Sequence, residues 1–451
     1  MYLAFFVALL NVSVMYLAVP RVGATFNADL SEQQWFIGIY PLLQGAFMLA
    51  AGTLGDAWGR RRVLTIATAL FAVASLASAF APTMLFLLVA RAVEGLSSAA
   101  LIALPPAMLI ALLPSGSQDG PTIKRIGMWG GIAGGLAPAI GGAVVSQFSW
   151  PGVFWMSALL AFGVLALLLA DTRRDTPGKA GRFDLIGQGI AVLAFVLLSY
   201  ALIDGDKAGW LSPPILAAFV VGAAALWGLV AFETRSAHPM MHVEYFRRRR
   251  FDVSLAMLAV VNFSWYGLFL LCSIFLQEIR RDGALLSGIF LLPCNATFFG
   301  ANLASVWFAR TFGMVQAAAI SFVVTLAGIA WLAAMTEQTH GWQIACALGV
   351  AGVGWGLIVT PATALGMESV PLRDEGFASA TQALIRSISG VFGIALLGSI
   401  AGNAVENGAF MRGWPVAMIV AGFVTAAFAV LVLLVLRGRD AKLPAVDRRP
   451  A

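Results

Sequence analysis

Long apolar runs separated by short polar loops fill the chain from one end to the other. A helix needs about 20 mostly apolar residues to cross a bilayer. Fourteen runs approach or meet that length, at roughly 2–20, 35–54, 63–81, 84–111, 126–147, 152–170, 186–203, 213–232, 253–276, 285–308, 314–334, 342–362, 378–400 and 415–436. This pattern predicts an all-α polytopic membrane protein. The 84–111 run is long, and its Pro105-Pro106 pair is expected to kink it or end it early. The first run opens Met1-Tyr-Leu-Ala-Phe-Phe, with no basic segment before it and no A-x-A site, which predicts a retained span.

Composition agrees: 60% of the 451 residues are hydrophobic and only 11% are charged. A soluble domain carries about 25% charged residues, so a soluble fold is excluded. The net charge of +6 does not point to nucleic acid, because the basic residues sit in short loops between apolar runs. Cys272, Cys294 and Cys346 lie inside apolar runs and are read as small core residues. His238 and His242 are four apart, but no further ligand clusters with them, so no metal site is expected. No G-x-x-x-x-G-K-[ST], H-E-x-x-H or G-x-S-x-G motif occurs. Direct ATP use, an enzymatic group and a cofactor are therefore not expected.

Placing the turn at Gly59 in the cytoplasm fixes the side of every other loop. The cytoplasmic loops and tail then hold 21 of the 28 Lys+Arg, against five in the outer loops. Arg91 and Arg386 fall within spans. Such a bias is what the positive-inside rule demands, and it predicts both termini in the cytoplasm. Trp35, Trp58, Trp150, Trp210, Trp342 and Trp414 lie near predicted span ends, as interfacial anchors would.

The second loop reads Gly52-Thr-Leu-Gly-Asp56-Ala-Trp-Gly59-Arg60-Arg61-Arg62-Val-Leu64. Glycine lets two helix ends approach closely, and the arginines hold the loop in the cytoplasm. The pattern resembles the signature loop between helices two and three of the major facilitator superfamily. A fainter copy, Phe308-Ala-Arg310-Thr-Phe312-Gly313, ends the tenth run, as expected of two related six-helix halves. The expected division is 1–171 as the first bundle, 172–252 as a two-helix insertion, 253–437 as the second bundle and 438–451 as a tail.

Further motifs resemble the fourteen-helix drug:proton antiporter branch of that superfamily. Leu10-Asn11-Val-Ser13 through Pro20 is similar to its first-helix motif, with Asn11 in place of an acid. An asparagine cannot titrate. Arg91-Ala-Val-Glu94-Gly95 is similar to its fourth-helix motif, with Glu94 in place of glutamine. Arg91 and Glu94 are three apart and share a helix face. Two readings stay open: a self-satisfied pair that holds helices together, or a site that handles protons or substrate charge. Gly134-Gly135-Leu-Ala-Pro138-Ala-Ile-Gly141-Gly142 is similar to the fifth-helix antiporter motif. Gly127, Gly131 and Gly135 recur every four residues and predict a face for close helix contact. Gln34-Trp35 to Tyr40, and Trp150 to Phe154, are similar to weaker landmarks of the branch. Arg386 is read either as snorkelling to the cytoplasmic end or as lining the pathway.

The resemblance implies proton-coupled efflux of lipophilic compounds across the cytoplasmic or inner membrane. Its implied partners are a small hydrophobic substrate, protons and membrane lipids, with a periplasmic adaptor protein if the cell has two membranes. Asp56, Arg60 and Arg61 are then expected to latch the cytoplasmic ends of the two halves in one state. An uptake carrier for another solute, or an uncoupled sensor-like subunit, is the alternative.

Overall fold

The structure is a computed structural model that describes residues 1–111, 120–170, 184–234, 243–371, 374–402 and 409–437. The first half contains α1 (Tyr2–Phe26), α2 (Leu30–Trp58), α3 (Arg60–Ala79), α4 (Met84–Ala111) and α5 (Gly120–Ala170). Next come α6 (Leu185–Ile203), the single turn α7 (Gly205–Ala208) and α8 (Pro213–Glu233). The second half contains α9 (Arg249–Ile274), α10 (Ala284–Phe312), α11 (Met314–Ala333), α12 (Gly341–Glu368), α13 (Glu375–Ala401) and α14 (Ala409–Arg437). No strand occurs among the described residues.

Thirteen of these helices are long and apolar enough to span a membrane. The α5 helix counts twice, because Ser149 breaks it with φ 59° and ψ −169°, and the limbs 120–148 and 150–170 each form a span. This restores the fourteen expected spans. The Pro105–Pro106 pair does not end α4, which runs through to Ala111. Packing against neighbouring helices can hold a membrane helix together where proline removes a backbone donor.

Duplication is visible in the helix lengths. The α2, α3 and α4 helices have 29, 20 and 28 residues, and α10, α11 and α12 repeat those lengths in order. Between α2 and α3, Gly59 takes φ 96°; between α10 and α11, Gly313 takes φ 79°. Only glycine adopts this backbone readily, so the same turn chemistry joins both pairs. The faint sequence copy at Gly313 is therefore a structural repeat.

In the first bundle α5 packs on α1 and α3, and α4 packs on α2 and α3. In the second, α12 packs on α10 and α11, and α13 packs on α9. The two bundles meet along α5 with α10 and along α2 with α13. The α6–α8 hairpin lies beside the second seam, with α6 touching both α2 and α13.

The aromatic anchors divide. Trp58, Trp210 and Trp342 are exposed, as anchors should be. Trp150 and Trp414 are buried and donate to Thr25 Oγ1 at 3.0 Å and the Leu332 carbonyl at 2.8 Å. Each spends its N–H inside the fold, so neither is an interfacial anchor. Cys272 and Cys294 are buried, but Cys346 is exposed and is not a core residue.

At the end of the bundle that carries Asn27, the insertion grips α2. Lys207 pairs with Asp29 at 2.5 Å, and Trp35 Nε1 donates to Asp204 Oδ2 at 2.8 Å. Burial pushes the Asp204 carboxyl above its ordinary range, while the Trp35 hydrogen bond and the Lys207 charge pull it down and Asp29 pushes it up. A raised carboxyl contributes stability below its unfolded value and loses it as pH rises through the folded one. Asp204→Asn keeps an acceptor for Trp35 without the charge. It is expected to raise the unfolding temperature at pH 7, by an amount that shrinks towards acid pH. An equal change at both pH values, read by Trp fluorescence melts, would contradict this.

Candidate functional site

The α4 helix carries Arg91 and Glu94 into the interior of the first bundle, 1% and 0% exposed. They form an ion pair, Arg91 Nη1 to Glu94 Oε2, at 2.7 Å. The same Nη1 donates to Asn11 Oδ1 on α1 at 2.6 Å. Asn11 Nδ2 donates to Ser157 Oγ on the second limb of α5 at 3.1 Å. Ser78 on α3 donates to the other carboxylate oxygen, Glu94 Oε1, at 3.1 Å. Tyr40 of α2 lays its ring 4.5 Å from the guanidinium carbon, within cation–π range. One network thus joins α1, α2, α3, α4 and the second limb of α5.

This arrangement gives the substitution at position 11 a physical meaning. An aspartate there would put a second carboxylate on Arg91. Asparagine keeps the acceptor and adds a donor for Ser157, while Glu94 supplies the negative charge on Arg91. A buried ion pair is costly unless its remaining lone pairs are satisfied. Both Glu94 oxygens are satisfied here, but Arg91 Nε is not. Sequence reasoning found Arg91, Glu94 and Asn11 but missed Ser78 and Ser157, and it reached Tyr40 only as the end of a weak landmark. The available signal was small polar residues standing alone in apolar helices.

Gly95 sits beside Glu94 because α2 and α4 nearly touch. A Cβ there would lie 2.9 Å from the Tyr40 Cα and closer still to its carbonyl oxygen.

The glycines of the α5 motif serve two partners. A Cβ on Gly134 would collide with the Phe299 ring of α10, and one on Gly142 would lie 3.0 Å from Leu285 Cα. A Cβ on Gly141 would instead meet α1, 2.9 Å from the Val14 side chain. Pro138 presents its carbonyl to Gly288 of α10. Gly131 and Gly135 touch Phe299 at ordinary distances. The four-residue periodicity therefore missed the closest contacts, and the surroundings of Gly127 lie outside the described residues. The α2–α13 seam uses the same device, with Gly45 on Ser387 and Gly398 on Gln34.

Among the described residues, Ser273 Oγ donates to the Tyr16 carbonyl at 2.7 Å and Asn295 Nδ2 to the Gly134 carbonyl at 2.7 Å, both across the bundles. The seam contacts named above all lie from the middle of the spans towards the Asn27 end.

In the signature loop, Arg60 Nε donates to Asp56 Oδ1 at 2.9 Å, and Arg60 Nη1 reaches the Ala107 carbonyl at 3.3 Å. Arg61 Nη2 donates to the Leu168 carbonyl at 2.6 Å. These contacts cap the C-terminal ends of α4 and α5, where cations complement the helix dipole. All three stay within the first bundle. Gly55 packs against Leu104, whereas nothing lies within 4 Å of a Cβ on Gly52.

Arg386 is half-buried on α13, and its Nη2 donates to Thr363 Oγ1 on α12 at 2.5 Å. His238 and His242 lie outside the described residues, among which no cluster of three or more His, Cys, Asp or Glu occurs.

Comparison with known proteins agrees with this architecture. The sequence profile of the Major Facilitator Superfamily matches residues 1–394, and the chain belongs to that family. It is a multi-pass membrane transporter and not an enzyme. It is 30% identical over 407 residues to the multidrug resistance protein Stp of Mycobacterium tuberculosis (strain CDC 1551 / Oshkosh), covering 88% of this chain and 74% of that one. It is 28% identical to the methylenomycin A resistance protein of Bacillus subtilis (strain 168), covering 88% and 85%. In fold it is similar to a bacterial homologue of the human lysosomal transporter Spinster, solved inward-facing and unoccupied, with TM-score 0.68, 14% identity and 97% and 95% coverage. The xylose transporter XylE from E. coli gives TM-score 0.62 at 12% identity, covering 100% of this chain and 98% of that one.

Proposed function

We propose that this transporter exports lipophilic compounds across the cytoplasmic membrane in exchange for protons, by alternating access between its two bundles. The observation that carries the coupling is the Glu94 carboxylate, sealed inside the first bundle and tied to four other spans through Arg91, Asn11, Ser157, Ser78 and Tyr40. A proton loaded on Glu94 would weaken its hold on Arg91 and free Arg91 to bind elsewhere. Coupling asks for such a group, because helix packing then depends on protonation. The names of the relatives support efflux as the direction. The transport unit is 1–171 with 253–437, and 172–252 is an insertion beside the α2–α13 seam.

Export is tested in cells lacking their own pumps. Expression is expected to lower susceptibility to several unrelated lipophilic toxins. Purified protein in vesicles should dissipate an imposed proton gradient when such a compound is added. Protection without proton movement would reject coupling; neither effect would reject the efflux reading.

Orientation follows from the basic loops. With the Gly59 end in the cytoplasm, the tight seam at the Asn27 end closes the outside, and the conformation is inward-facing. A single cysteine placed between Arg173 and Arg182 should react only from the cytoplasm, and one at Lys207 only from outside. Labelling of both from one face would overturn the topology. The signature loop then lies at the open end. Asp56, Arg60 and Arg61 would then latch the cytoplasmic ends of the two bundles together in the outward-facing state.

A further inference from the structure

A lone positive charge lies where the two bundles join. Arg386 projects from α13 one turn from Gly390, where a Cβ would lie 2.8 Å from the Tyr266 ring of α9. Its neighbour Ser387 packs on Gly45 of α2, across the seam. Tyr266 in turn meets Tyr16 of α1 edge-on, at a centroid distance of 6.5 Å. Arg386 therefore sits among α2, α9, α12 and α13, just beneath the point where the first and second bundles touch.

Its charge is unmatched. Arg91 has Glu94, but no carboxylate pairs with Arg386 among the described residues. Among the described residues its side chain makes one hydrogen bond, to the Thr363 hydroxyl, and its Nε has no partner. Residue 386 lies about 16 Å along its helix from Glu375, at 1.5 Å per residue. The side chain leans towards the Gly59 end, as snorkelling would require, but it stops on α12 rather than at the helix end. An unpaired cation held this far inside a membrane protein is costly and is retained for something that neutralises it.

The surroundings define the complement. Tyr16 O–H is also buried without a partner, and the Trp265 ring stacks 6.0 Å from Phe298. The junction thus has unused donors, a positive charge and aromatic faces. A group that only accepts hydrogen bonds and carries negative charge satisfies the donors and the cation together. A lipophilic cation does neither.

We propose that Arg386, with Thr363, is the anion-recognising point of the cargo path, and that the cargo class includes aromatic or aliphatic carboxylates. This rests on the efflux reading and names a substrate class within it. The planar guanidinium fork takes a carboxylate through two parallel hydrogen bonds, and the apolar body lies against the Tyr16, Tyr266 and Trp265 rings.

The test compares 1-pyrenebutyrate with its uncharged methyl ester, titrated into the full-length protein in detergent and corrected for empty micelles. Wild type is expected to bind the carboxylate at least tenfold more tightly than the ester. Arg386→Gln should remove that preference and leave ester binding within twofold, while Arg386→Lys keeps part of it. Equal wild-type affinity for the two, or an equal loss of both in Arg386→Gln, would overturn the proposal. If Arg386→Gln does not fold, the wild-type ratio together with Thr363→Val, expected to weaken the carboxylate selectively, decides the matter. Cellular export of uncharged toxins without any carboxylate preference would sink this proposal alone; absence of all export would sink the efflux reading itself.

Discussion

Glu94→Gln is expected to abolish proton-driven export. The substitution keeps the shape of the side chain and removes the charge that faces Arg91 at 2.7 Å. It also leaves Arg91 without a counter-charge in a site 1% exposed. Removing one partner of a buried pair costs about 3–5 kcal/mol, so loss of transport by the single variant could reflect stability alone. A second variant separates the two causes. Arg91→Gln with Glu94→Gln removes both charges and leaves neutral groups that can hydrogen-bond to Asn11 and Ser78. It is expected to recover most of the lost thermal stability, because no uncompensated charge is left buried. If Glu94 carries the proton, the double variant folds and inserts but moves no protons on adding drug. Restored drug–proton exchange by the double variant would mean that the pair only holds helices together, and that the coupling acid lies elsewhere. Asn11 cannot stand in, because an amide does not titrate.

Gly142→Leu is expected to block turnover without unfolding the protein. At Gly142 even a Cβ would press on the Ala284 carbonyl and the Leu285 Cα, both backbone atoms that cannot rotate away. The α5–α10 seam would have to open by the width of a side chain. Each bundle keeps its own core, so the cost falls on the state in which the seam is closed. A cost of about 3 kcal/mol on one of two states shifts their ratio by more than a hundredfold. Export should therefore fall at least tenfold. The shift is read with a cysteine at Gln34, which is 1% exposed at the closed end, after Cys272, Cys294 and Cys346 are replaced. Labelling at position 34 should rise sharply in Gly142→Leu. Unchanged labelling together with unchanged export would show that the seam does not need to close there. Gly135→Ala is the control, since its Cβ meets only the Phe299 ring at 3.7 Å.

The fourteen spans, the paired halves and the tight turn at Gly59 were legible in the sequence. Each is a local property: a run of apolar residues must become a helix in lipid, and a sharp turn with positive φ requires glycine. The Arg91–Glu94 pair was legible for the same reason, because residues three apart on one helix share a face. The partners of that pair were not. Asn11 is 80 residues from Arg91, and Ser157 is 146 residues from Asn11. Only the packing of α1, α4 and the second limb of α5 brings them together. The roles of the α5 glycines were decided the same way, since Gly141 faces α1 and Gly142 faces α10, a difference that spacing does not encode. Trp150 and Trp414 stand at span ends in the sequence yet point inward, because hydrogen-bond acceptors from Thr25 and Leu332 wait for them there. The sequence by itself determined the number of membrane crossings, because lipid leaves an apolar segment no choice but to pair its own backbone. Tertiary structure alone decided which polar side chains meet in the interior, because those contacts join helices that are remote along the chain.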